Sequence, residues 1–89
     1  MKWHDETFQV KGEYNRRKIS TAVAGQRLYI IRQSARFKDY VIQEVMLRNG
    51  ITRLIKDTSA TDTLTFDTLG DAKSHRVYQM SRCLLHSYP

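Results

Sequence analysis

The sequence predicts a small α+β domain: an antiparallel β-meander of four or five strands with one C-terminal α-helix packed on a face of the sheet. Three observations lead there. Aliphatic and aromatic residues alternate in strand fashion through 26–33 and again on both sides of Asn49 and Gly50. Past Thr68 the apolar spacing changes from two to a helical period. The third is size: 89 residues, 40% of them hydrophobic and 27% charged, are enough for one core and too few for two, so residues 1–89 are read as one domain.

Taken in order, residues 1–12 are polar around isolated Trp3, Phe8 and Val10. They predict a loosely ordered end with one short strand over Thr7 to Val10. Residues 16–24 fit two patterns. Ile19, Ala22 and Val23 make a helical stripe, whereas Ile19, Thr21 and Val23 alternate as β-branched residues do in a strand. The strand reading, turning at Ala24 and Gly25, agrees better with the strand that follows over 26–33. Asn49-Gly50 is the pair preferred in a two-residue type I′ turn, and such a turn sets Val45 opposite Leu54 and Glu44 opposite Ile55. In that register Val45, Leu47 and Leu54 form the expected core face. Glu44 and Arg53 then make a surface pair on the other face with Met46, Ile51 and Ile55. That second face is expected to be covered by the N-terminal segment or by a second copy of the chain, a homodimer.

Strand-like TDTLTFD leads into a capping pattern in which Thr68 precedes Asp71 by three residues. From Leu69 a continuous apolar arc runs through Ala72, Val77, Met80, Cys83, Leu84 and Tyr88, which predicts one long helix. Tyr78, Arg82 and Leu85 are expected to lie outside that arc, as an exposed contact face for a protein partner.

Cys83 is the only cysteine, so an intrachain disulfide and a Cys-x-x-Cys metal site are both excluded. His75 and His86 are too far apart on one helix to share an ion, and solvent-facing histidines are expected. No glycine-rich phosphate loop and no nucleophile beside a base stand out, so a non-enzymatic protein without cofactor or metal is expected. With no signal-peptide core and no long apolar run, a cytoplasmic location away from membranes is expected.

Charge carries the functional reading. The net charge is +6, and residues 12–38 supply that excess through Arg16, Arg17, Lys18, Arg27, Arg32, Arg36 and Lys38 against Glu13 alone. Tyr14, Tyr29, Phe37 and Tyr40 are interleaved with them. Guanidinium groups and aromatic faces together suit nucleic-acid phosphates and bases. The same charge also suits an acidic patch on a larger protein, as an adaptor or stoichiometric inhibitor would use it. Arg27 and Arg32, five residues apart on one strand, are expected to point to opposite faces.

Overall fold

The computed structural model describes residues 1–34, 38–56 and 62–78. Among them is an antiparallel sheet built from β1 (His4–Phe8), β2 (Arg17–Ala24), β3 (Arg27–Gln33), β4 (Tyr40–Met46), β5 (Thr52–Leu54) and β6 (Thr65–Phe66), followed by the short helix α1 (Leu69–Lys73). The first five strands lie in meander order, and β6 pairs with the part of β4 that β5 leaves free. The antiparallel meander with a C-terminal helix agrees with the sequence reading, and β6 is a strand beyond the four or five expected. Helix α1 ends at Lys73, short of the one long helix that the apolar arc implies; Met80, Cys83, Leu84 and Tyr88 of that arc lie outside the described residues.

The ambiguity over 16–24 resolves as strand. β2 pairs with β1 on one side and β3 on the other, and a two-residue loop at Gly25 and Gln26 joins Ala24 to its partner Arg27. Gly25 takes φ +62°, which glycine adopts without the steric cost of a Cβ. The N-terminal segment is also more ordered than expected. Its strand covers His4–Phe8 instead of Thr7–Val10, and Arg16 fastens it by donating to the Thr7 hydroxyl at 2.9 Å and to the Thr7 carbonyl at 2.9 Å.

The second hairpin departs from its expected register by two residues. Glu44 pairs with Arg53 and Val45 with Thr52, because Leu47 to Gly50 form a longer loop closed by the Met46 amide on the Ile51 carbonyl at 2.9 Å. Asn49 still shapes that loop, since its side-chain oxygen accepts from the Ile51 amide at 3.0 Å. A shift of two preserves which side chains share a face, so the shift does not explain the next correction. The core lies on the opposite face from the one expected.

That covered face carries Ser20, Ala22 and Ala24 of β2, Tyr29 and Ile31 of β3, and Tyr40, Ile42 and Glu44 of β4, all buried. Tyr29, Ile31 and Ile42 are fully buried, each contributing about 1.5–3 kcal/mol through removal of its side chain from water. Trp3, Leu64, Phe66, Leu69 and Val77 pack around them. Helix α1 rests against β3, β4 and β6, with Ala72 fully buried beneath it. Its start is as read from the sequence: Thr68 is the N-cap and accepts from the Asp71 amide at 3.0 Å. It stops at Ser74, where the Ser74 amide and hydroxyl both turn back to the Gly70 carbonyl.

Val45, Leu47 and Leu54, expected in the core, belong instead to the other, open face; Leu47 and Leu54 are exposed. Strand parity explains this. Tyr40, Ile42 and Glu44 share a face, and two large buried residues outweigh one carboxylate whose hydrogen bonds are supplied locally.

Candidate functional site

Most of the basic residues of 16–38 meet at one end of the sheet. β2 begins there, β3 ends there and β4 begins there: Phe8 pairs with Arg17, Ile19 with Arg32 and Gln33 with Tyr40. Arg16, Arg17, Lys18, Arg32 and Lys38 therefore converge although up to 22 residues separate them in the chain. Lys18, Arg32 and Lys38 are exposed. The Arg17 guanidinium is held by the Glu13 carboxylate, one contact being 2.8 Å from Nε to Oε2, and this hydrogen bond, against the cost of burial, raises its proton affinity further. Alternation splits the group between faces, with Arg17 and Arg32 on the open side and Lys18 on the covered side. The grouping is an end cap, not a flat patch.

Tyr14, in the turn before β2, is 97% exposed beside Arg16 and Arg17. Phe8, paired with Arg17 at the same end, is half-buried, so Tyr14 is the more open ring of the two. Tyr29 and Tyr40 are not available: Tyr29 is fully buried and Tyr40 is 7% exposed, both in the core. Their position on the covered face, with Ile31 and Ile42, is the physical reason.

Arg27 is also separated from the group. It stands at the far end of β3, opposite Ala24 and Met46, and on the other face from Arg32, as alternation requires. Its guanidinium lies 3.4 Å from Glu44. Arg36 and Phe37 lie outside the described residues.

Glu44 is the centre of a buried polar group that sequence reasoning treated as a surface pair. Only 2% of it is exposed; it accepts from the Tyr29 hydroxyl at 2.8 Å and from Arg53 Nε at 2.8 Å. Burial alone pushes its carboxyl upward, but the hydrogen bonds from Arg53 and Tyr29 and the charges of Arg53 and Arg27 outweigh this and hold it below the usual carboxylate value. The signal was present in parity, since Glu44 follows Tyr40 and Ile42 at intervals of two. A second polar connection went unread: fully buried Ser20 donates to Asp5, and Lys73 of α1 donates to the same carboxylate at 2.8 Å. The hydrogen bonds from Lys73 and then Ser20 lower the Asp5 carboxyl. This chain ties β1, β2 and the helix together.

The helix surface also differs from expectation. Tyr78 is 5% exposed; it packs edge-on against Tyr29 at 4.9 Å and Trp3 at 5.2 Å, and its hydroxyl donates to the Ala72 carbonyl at 2.7 Å. It is a core residue, because the helix stops at Ser74 and Tyr78 no longer takes the angular position that a continuous helix would give it. Burial, with Tyr29 adding to it, raises its phenol well above the ordinary value. His75 is half-buried rather than solvent-facing, with its ring edge on Phe66 and its Nδ1 accepting from the Val77 amide at 3.1 Å. Burial and then the neighbouring Arg76 charge lower its pKa. Arg82 and Leu85 lie outside the described residues.

Among the described residues no group of three or more His, Cys, Asp or Glu side chains converges as a metal site would, and no helix is long and apolar enough to cross a membrane. The cations and Tyr14 at the sheet end form a positively charged grouping with one open aromatic ring. No protein-family model matches the chain, and neither the curated proteins nor the solved structures contain a match to it.

Proposed function

We propose that this protein is a non-enzymatic binding module whose basic sheet end contacts nucleic-acid phosphates. The observation that carries the reading is the convergence of Arg16, Arg17, Lys18, Arg32 and Lys38 on one end, beside fully projecting Tyr14. Phosphate contacts of this kind fix position without reading sequence, so binding with little base preference is expected. Tyr14 offers one stacking surface, which suits a single strand better than a closed duplex.

The test is binding of purified, nuclease-treated protein to labelled single- and double-stranded oligonucleotides across a salt series. Binding at near-physiological salt, with log affinity falling linearly in log salt, supports the reading. Replacing Lys18, Arg32 and Lys38 together by Ala should lower the single-strand salt slope by about 2. No binding at low salt overturns it.

A second reading is docking of the same basic end on an acidic protein surface. The burial of Tyr29 and Tyr40 favours it, because little stacking surface is left among the described residues. The naked oligonucleotide separates the two.

A further inference from the structure

The middle of the open face carries a block of aliphatic side chains. Its rows follow from the strand register. His4, Thr21, Ile30, Gln43 and Leu54 form one row, and Val23, Leu28, Val45 and Thr52 a second; Glu6, Ile19, Arg32, Val41 and Thr65 form a third. Val23 is 59% and Leu54 39% exposed, and the other aliphatic side chains are partly exposed. No described residue forms a second layer over them.

We propose that a second copy of this chain covers that face, giving a two-fold dimer in which two sheets pack as a sandwich. Three observations select this occupant. The described chain finishes at Tyr78 on the covered face, and its first strand is used at the sheet edge, so neither end of the described chain crosses the open face. The face is aliphatic in its middle, with Thr and Gln interspersed, His4 and Glu6 on the edge strand and Arg17 and Arg32 at one end; Phe8 is its one described strand aromatic, short of the row of rings a nucleic acid would use. Its size reaches the lower bound. The strands β1 to β5 hold 5, 8, 7, 7 and 3 residues; at about 4.8 Å between strands and about 3.3 Å per residue they present roughly 475 Å² of sheet, so a pair buries about 1,000 Å², the lower bound for a specific dimer.

Charge selects the orientation. Arg17 and Arg32 stand toward one end of the open face, so a two-fold axis running across the strands places the two basic ends at opposite ends of the dimer and keeps like charges apart. Sheets packed this way lie about 10 Å apart with strands about 30° from antiparallel. The dimer then presents two separated basic ends, a geometry for bridging two anionic segments. The interface itself does not depend on what those ends bind.

Sedimentation equilibrium of the full chain from about 1 to about 500 µM tests the proposal, a range that spans dissociation constants on the order of micromolar. A monomer–dimer equilibrium is expected, with Val23→Lys weakening it by about tenfold or more and circular dichroism unchanged. Gln43→Lys replaces a side chain that is already polar on the central row, so it keeps the test open should Val23→Lys not fold. It too should weaken the dimer, whereas Lys38→Ala at the basic end should not. A single monomeric species over the whole range overturns the proposal and leaves the face to residues 79–89 or to another protein. A dimer unmoved by both open-face substitutions overturns it as well.

Discussion

The two faces of one sheet carry different residues to different ends. On the covered face Tyr29, Ile31, Tyr40 and Ile42 meet α1, Trp3 and Tyr78, and even the polar members Ser20 and Glu44 have their hydrogen bonds supplied inside the chain. On the open face Ile19, Val23, Leu28, Ile30, Val41 and Val45 are comparably apolar but meet no second layer among the described residues. Apolar content therefore does not decide which face becomes the core. What decides it is where the large aromatic residues fall, because Tyr29, Tyr40, Phe66 and Tyr78 each bury much more area than a valine, and Tyr78 packs edge-on against Tyr29 and Trp3.

The comparison breaks most visibly by truncation. Ile42→Ala, in the fully buried position facing Ile31 and Ile55, should cost about 3 kcal/mol in urea denaturation. Leu28→Ala on the open face should cost about 1 kcal/mol or less in the dilute monomer. Similar losses at both sites would mean that the open face is packed in the monomer too.

Glu44 sharpens the contrast from the polar side. Glu44→Gln removes the charge that Arg27 and Arg53 face, and should destabilise by about 2 kcal/mol near neutral pH. Glu44 and Asp5 are both held below their ordinary values, so the unfolded chain binds their protons first. Their stabilisation is then complete above about pH 5 and is lost as pH falls through the lower folded-state values. Denaturation across acid pH should show this fall, and Glu44→Gln should make it shallower. An unchanged profile would exclude the Glu44 carboxylate as a source of the acid dependence.

The sequence made the meander, the β2 strand and the Thr68 cap legible because period, turn chemistry and capping are local properties. The core face was not legible. Glu44 looks like a surface residue until Tyr29, fifteen positions earlier, brings a hydroxyl to it. Tyr78 falls outside the apolar arc of a continuous helix, and the break at Ser74 turns it inward. Convergence of the basic end followed from register: consecutive antiparallel strands bring positions 16–18, 32 and 38 together, which composition alone does not state.

Tyr78→Phe tests that inward turn at smaller scale. It keeps both ring contacts and removes only the hydrogen bond to the Ala72 carbonyl, so a loss of about 1 kcal/mol is expected. No loss would place the hydroxyl in contact with solvent and the tyrosine back on the surface.

The smallest expected effect bears most directly on the open face. Val23→Thr keeps the β-branched shape that suits a strand and replaces one methyl by a hydroxyl at a position that is 59% exposed. In the dilute monomer water satisfies that hydroxyl, so stability should change by no more than about 0.5 kcal/mol. In a sandwich dimer the same hydroxyl is withdrawn from water, and the penalty moves from folding to association. Urea denaturation at low and high protein concentration separates the two: the wild-type midpoint should rise with concentration, and the Val23→Thr midpoint should rise less. Equal, concentration-independent midpoints would show that the valine faces solvent in every populated state, and that this apolar face is one the protein leaves open.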